Sequence, residues 1–400
     1  MTSIAEPVPL RRSGATEVLI AIGLSMGAAV SLGFSRFAYA LLLPPMGTAL
    51  HWTYVQAGGL NTANAIGYIV GSATAAWFSK RLGIKATFLL TLLISALMLL
   101  GSGLVDTYGA LVTLRTIGGF ATAILFIIGA SLSTGISPGA PRHRSALLVA
   151  LYITGVGTGI VISGLVVPPI LASVGTAGWQ AGWISMGCIA LASLVPAIAA
   201  VRAVPPQQGR DTGSLPWKET VFLGPTFIGY ALYGAGYVSY MTFIILLLQQ
   251  QSHGSMAHTA SFWIVLGLAS FVGTLLWGRV LAKVHDGKGP ALISIVVLIG
   301  ALPVLIWPGL PAAFISAIIF GGSFMAGPSS VTILVRKLTA AHLCTAAIAG
   351  MTVAFAIGQA IGPILSGYVS DLTGSVSAGL WTAPVLLIVG AIIAPFQKSR

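Results

Sequence analysis

Acidic residues are almost missing from this chain. Seven Asp and Glu stand among 400 residues, and charged residues of either sign amount to 6%. An ordinary soluble domain carries about 25%, so the usual water-facing surface is excluded. Cysteine is equally scarce, with two in all. That leaves no disulfide framework, and Cys188 and Cys344 read as small packing residues. The histidines, His51, His143, His253, His258, His285 and His342, all fall in or near predicted loops. No metal-ligand spacing and no Gly-Lys-Ser/Thr phosphate loop occurs. Acid–base, metal and ATP-driven chemistry therefore lack their parts inside the apolar stretches. No catalytic residue, metal or cofactor is expected, and the chain is read as a non-enzyme.

What is there is apolar: 56% of residues are hydrophobic and the mean hydropathy is +0.98. About 20 apolar residues cross a bilayer as a helix. Such stretches occur twelve times, near 18–43, 54–79, 86–104, 108–136, 146–172, 181–201, 221–249, 259–282, 290–307, 311–335, 344–370 and 377–396. The pattern predicts an all-α integral membrane protein, and these stretches are helices 1 to 12 below. Leu10-Arg11-Arg12-Ser13 before an apolar run resembles a secretory or twin-arginine signal. The run is too long for a signal core and lacks a clear small-residue cleavage site, so it counts as a span.

Nineteen Lys and Arg give a net charge of +12, enough to raise a nucleic-acid partner. Their placement argues for a membrane instead. With the N-terminus in the cytoplasm, seventeen of the nineteen fall in inward segments and none in an outward loop, as the positive-inside rule expects. The predicted location is the inner membrane, with both termini cytoplasmic and no nucleic-acid partner. The two exceptions are Arg36 and Arg115.

The longest polar stretch, RAVPPQQGRDTGSLPWKE at 202–219, divides the spans six and six. It predicts an N-terminal bundle at 1–201, a cytoplasmic linker at 202–219 and a C-terminal bundle at 220–400. A shift of 203 residues places Gly33 on Gly236 and Gly118-Gly119 on Gly321-Gly322. The same shift places Gly155, Gly159, Ser163 and Gly164 on Gly358, Gly362, Ser366 and Gly367. A duplicated six-helix unit is an architecture secondary transporters use for alternating access.

These residues resemble the major facilitator superfamily (MFS) over essentially the whole chain. The loop motif Gly-x-x-x-Asp-Arg-x-Gly-x-Arg is met in AWFSKRLGIK (76–85) by Arg81, Gly83 and Lys85 and departs at Ala76 and Lys80. The helix 4 pattern is met by Arg115 and Gly119. The helix 5 pattern is met by Gly155, Gly159 and Gly164, with Ile160 in place of its proline. Helix 11 repeats it with the proline kept, as Gly358, Gly362, Pro363 and Gly367. GFSRFAYALLLPPM (33–46) is similar to the helix 1 signature of the YbfB/YjiJ-type branch. The resemblance implies two pseudo-symmetric bundles with helices 1, 4, 7 and 10 lining a central cavity. It also implies that the loop and glycine motifs, with Asp371 at the end of helix 11, serve the change of conformation. The glycines have a plainer reading as well, close helix packing.

Arg36 and Arg115 each lie eight residues from the outer end of their spans, about 12 Å deep at the α-helical rise, so both can face one site. No carboxylate lies at that depth, and the missing anion is then the substrate, held by a guanidinium fork. Each arginine also has a structural reading: Arg36 bonding carbonyls near the outer end, and Arg115 bonding the helix 1 backbone, as the resembled family allows. Tyr230, Tyr233, Tyr237 and Tyr240 share one face of helix 7. Asn61, Asn64 and Tyr68 share a face of helix 2, Gln359 lies within helix 11, and Tyr39 follows Arg36 by three. The candidate substrate residues are Arg36, Arg115, Tyr39, Tyr233, Tyr237, Tyr240, Asn61, Asn64 and Gln359. The expected function is secondary transport of a small organic anion by a monomer whose other partner is the lipid bilayer. The alternative is proton-coupled efflux of a hydrophobic drug-like compound.

Overall fold

The computed structural model describes residues 13–138, 141–205, 215–252, 254–340 and 342–399. Arg11 and Arg12, Glu6, the linker's Arg210 and Asp211, His253 and Arg400 lie outside the described residues. Helix 1 runs Gly14–Ala49, helix 2 Tyr54–Leu82, helix 3 Ile84–Ser102 and helix 4 Tyr108–Thr134. Helix 5 is Arg142–Val174, helix 6 Gly178–Ala203, helix 7 Gly224–Gln251 and helix 8 Met256–Lys283. Helix 9 is Lys288–Ile306, helix 10 Leu310–Leu338, helix 11 Cys344–Thr373 and helix 12 Val376–Phe396. Several helices outrun their apolar stretches, because backbone hydrogen bonding continues into the polar ends. Helix 7 starts later than its apolar run implied, since Trp217–Phe222 forms a short separate helix before it.

Eleven of these helices are long and apolar enough to cross a membrane. Helix 2 is the less apolar twelfth, because it carries Asn61 and Asn64. Many large apolar side chains are exposed, among them Leu104, Val195, Ile361 and Leu372. In water such a surface would aggregate; in lipid it is the solvated surface. The chain is a multi-pass membrane protein.

Local chemistry sets the helix ends. Thr53 accepts a hydrogen bond from the Gln56 N–H, and the Gln56 side chain accepts one from the Thr53 N–H. This reciprocal cap starts helix 2. Gly83, at φ +82°, makes the turn into helix 3 in a region only glycine adopts freely. Lys85 then donates to the Val204 carbonyl at the end of helix 6 (2.5 Å). Arg81 lies over the Trp77 ring at 5.9 Å.

The repeat is visible in packing. A Cβ added at Gly155 or Gly159 of helix 5 would run into the backbone of Ser25 or Ala29 in helix 1. At Gly358 or Gly362 of helix 11 it would run into Ala231 or Ala235 in helix 7. Farther along, Gly164 faces Trp263 and Ile264 of helix 8, and Gly367 faces Tyr54 and Val55 of helix 2. Helix pairs 5–8 and 2–11 are the main contacts between the first six and last six helices. Pro363, inside helix 11, offers its carbonyl to the surface against which Gly58 packs. These glycines and Pro363 therefore all sit at close helix approaches. Among the apolar spans, helices 1 and 7 are the most buried, at 78% and 83% of their most apolar stretches, against 39% for helices 3, 6, 8 and 11. The centre of the molecule lies where these two repeat mates meet helices 2, 4, 10 and 11.

Candidate functional site

Helix 1 is not uniformly α-helical. Between Gly14–Ala28 and Tyr39–Ala49, residues Ala29–Phe37 wind as π-helix, and the Ala38 N–H closes the segment onto the Gly33 carbonyl at 2.9 Å. π-Helical turns are rare and concentrate at functional sites. Arg36 is the next-to-last residue of this segment.

Arg36 is 4% exposed. Its Nε donates to Asn64 Oδ1 (3.2 Å) and its Nη1 to Gln359 Oε1 (2.5 Å), while its guanidinium lies 4.9 Å from the centre of the Tyr68 ring. Nη2 meets no acceptor in hydrogen-bonding geometry. Gln359 Nε2 donates in turn to the Tyr237 hydroxyl. One chain of hydrogen bonds thus joins helices 2, 1, 11 and 7. Beside it, Asn61 Nδ2 donates to Thr242 Oγ1 of helix 7 at 2.7 Å.

Arg115 is equally buried but differently held. Nη1 donates to the Ser35 carbonyl and Nη2 to Asn61 Oδ1 (3.1 Å), and Asn64 Nδ2 donates back to the Arg115 carbonyl (3.3 Å). The Tyr39 and Trp183 rings face its guanidinium at 5.1 and 5.4 Å. The bond to Ser35 ties the π-helical segment to helix 4 one residue before Arg36, which is the structural arrangement considered for Arg115. Its Nε has no acceptor. Helix 4 approaches helix 2 closely enough for this because Gly119 lies against the Asn64 backbone.

Neither arginine meets a carboxylate among the described residues. Among the described residues, Glu17 pairs with Arg144 at 2.7 Å near the start of helices 1 and 5, and Asp286 accepts from the Ser399 N–H (2.9 Å). Asp371 accepts from the N–H groups of Tyr54 and Val55, both at 2.9 Å, so it caps helix 2 across the two six-helix groups. Positive charge is therefore left over at the centre, with two of its donors idle.

The tyrosine stripe of helix 7 divides. Tyr230, Tyr233 and Tyr237 lie face to face with Phe355 of helix 11: Tyr230–Phe355 is 4.5 Å at 14°, Tyr233–Phe355 6.4 Å at 19°, and Tyr237–Phe355 5.5 Å at 6°. The Tyr233 hydroxyl is committed to the Phe324 carbonyl (2.6 Å). Tyr240 instead turns to helix 10, bonding the Ser316 hydroxyl and packing on Phe320. Tyr39 faces Arg115, with its hydroxyl on the Ala57 carbonyl (2.7 Å). Of the predicted substrate residues, the structure gathers Arg36, Asn64, Gln359 and Tyr237 into one group and Arg115, Asn61 and Tyr39 into its neighbour. Tyr233 and Tyr240 stand to the side. Sequence reasoning missed Ser35, Thr242, Phe324 and Phe355. For Phe355 a signal existed, since it precedes Gln359 by one helical turn on the same face.

The sequence matches a family model described as uncharacterised MFS-type transporter YbfB over residues 28–395. It is 25% identical over 389 residues to a chloramphenicol resistance protein of Streptomyces lividans, covering 92% of this chain and 94% of that one. It is 24% identical over 410 residues to a 3-(3-hydroxy-phenyl)propionate transporter of Escherichia coli K12, covering 97% and 96%. In three dimensions it superposes on a bacterial homologue of the human lysosomal transporter Spinster, in an inward-facing and unoccupied conformation. That match has a TM-score of 0.71, 15% identity and coverage of 96% and 97%. It also superposes on the nucleoside transporter NupG, with a TM-score of 0.70, 15% identity and coverage of 95% and 96%. These two structures share its fold.

Proposed function

The chain belongs to the YbfB-type family of MFS transporters, and from that premise we propose that it carries a small organic anion by alternating access, with Arg36 as the anion's seat. The observation that carries this reading is the Nη2 without an acceptor on a buried guanidinium whose Nε and Nη1 donate to neutral amides. A charge in the middle of a span costs about 2.5–3.5 kcal/mol on insertion scales. Neutral amides offset part of that, and an anion bound through Nη1 and Nη2 together offsets more. The 3-(3-hydroxy-phenyl)propionate transporter relative is named for a carboxylate.

In this reading the bundles 1–201 and 220–400 rock about the Arg36–Gln359 contact, around the linker 202–219. Asp371 latches the end at which helix 2 begins. Arg115 positions the π-helical segment. The termini lie in the cytoplasm and the protein in the inner membrane. A second reading, efflux of a hydrophobic drug-like compound coupled to protons, draws on the similarity to the chloramphenicol resistance protein. The deciding experiment is a thermal-shift screen of the purified protein against organic anions and hydrophobic drugs, followed by flux into reconstituted vesicles. Stabilisation and flux confined to anions support the first reading. Stabilisation by neutral or cationic drugs alone overturns it in favour of the second.

A further inference from the structure

The group on Arg36 and the ring stack on Phe355 meet at one residue. The Tyr237 hydroxyl is tied through Gln359 to the guanidinium, and the Tyr237 ring lies parallel to Phe355, 5.5 Å away at 6°. Tyr237 also lies 5.9 Å from Phe324 at 27°. Gln359 and Phe355 are one turn apart on helix 11, about 6 Å along its axis. The close approach of helices 7 and 11 makes this stack possible, since Gly234 and Gly358 leave no room for a Cβ between the two backbones.

The Gln359 amide holds its place on Arg36 imperfectly. It presents one acceptor oxygen, which takes Nη1 and leaves Nη2 bare. A carboxylate presents two oxygens in the geometry of the guanidinium fork. Resting on the assignment of Arg36 as an anion seat, we infer that the substrate is an aryl carboxylate. Its carboxylate displaces Gln359 from Arg36, and its ring, a short linker away, enters the stack of Tyr237 and Phe355. An aliphatic acid would use the fork and leave the ring faces unused. A neutral aryl compound would use the faces and leave the guanidinium unpaired. Because Arg36 belongs to helix 1 and the stack to helices 7 and 11, such a molecule replaces a bond between the two six-helix groups with itself.

The test uses the full chain in lipid nanodiscs and three probes: 3-phenylpropanoate, 3-cyclohexylpropanoate and 3-phenylpropanamide. Ring stacking is worth a preference of about 5-fold for phenyl over cyclohexyl in Kd, although the cyclohexyl acid is the greasier of the two. The loss of a charge-assisted fork makes the amide at least about tenfold weaker than the acid. In Phe355→Leu the phenyl-to-cyclohexyl ratio falls toward one, and in Phe355→Tyr it is kept. Equal affinity for the phenyl and cyclohexyl acids overturns the aryl assignment and leaves the anion seat standing. A ratio that persists in Phe355→Leu likewise removes the ring from this stack. An amide that binds as well as the acid, or no binding by either acid, overturns the anion seat and this inference with it. If Phe355→Leu does not fold, the native protein's ratio still decides.

Discussion

Helices 1 and 7 are repeat mates, related by the 203-residue shift, and they are built to different ends. Gly33 and Gly236 correspond, and each lies against a neighbouring helix. Beyond that glycine the two diverge. Helix 1 unwinds into π-helical turns and carries Arg36, where helix 7 has Ser239 in a regular α-helix. Helix 7 carries Tyr237 and Tyr240 where helix 1 has Phe34 and Phe37. The charge therefore sits in one half and, at these matched positions, the phenolic hydroxyls in the other. Packing constrains both copies alike, because a helix crossing tolerates no Cβ in either. The residues that face the centre were free to specialise.

The largest way to break this asymmetry is to remove its charge. Arg36→Gln is expected to lower anion transport at least about 30-fold, because truncating one partner of a buried charge-assisted contact costs about 2–5 kcal/mol. Arg36→Lys keeps the charge, loses the fork and retains part of the rate. Vesicle exchange normalised to protein amount reads both, and a normal rate in the Gln variant removes Arg36 from the site.

The shared part of the comparison is sharpened by a matched pair. Gly155→Ala and Gly358→Ala place a methyl against the carbonyls of Ser25 and Ala231 respectively. Each is expected to cost about 1–3 kcal/mol by overpacking. Melting temperatures in detergent should fall by similar amounts; a large drop in only one variant would show that the two crossings are not equivalent.

Arg115 separates positioning from binding. In Arg115→Lys the bonds to Ser35 and Asn61 no longer form together. Thermal stability is then expected to fall, with exchange lowered through the maximal rate more than through the apparent substrate affinity. A change confined to affinity would make Arg115 a ligand of the substrate.

The smallest effect is expected at the membrane faces. Among the described residues, Glu17 pairs with Arg144 and Asp371 caps the start of helix 2, far along their helices from Arg36. The Glu17→Gln, Asp371→Asn double variant should keep exchange between equally loaded compartments within about threefold, since neither carboxylate bonds to the Arg36 or Arg115 group. Accessibility labelling should find the Tyr54 end open more often once its latch is weakened. Loss of exchange that returns only with a restored carboxylate would favour proton antiport.

Several features were legible because their physics is local. A span declares itself through about twenty apolar residues, and the repeat declares itself through glycines at helix crossings. Arg36 and Arg115 stood out because a charge in an apolar run is costly. Their depth was counted at the α-helical rise, which the π-helical turns of Ala29–Phe37 interrupt on helix 1. The partners of Arg36 were legible only as isolated polar residues on separate helices.

The sequence by itself determined that this chain lives in lipid, crosses it as a repeated set of helices and carries two arginines within its spans at a depth where no Asp or Glu occurs. The spans and the stranded charges follow from transfer energies summed along the chain, and the repeat from glycines recurring at one shift; neither needs knowledge of what packs against what. Only the tertiary structure decided that Arg36 meets Gln359 across 323 positions of sequence. It alone showed that Arg115 is turned to the helix 1 backbone and that Phe355 completes the tyrosine stack. Hydrogen bonds and ring contacts depend on the crossing of particular helices, and that crossing is set by where every glycine lets two backbones touch.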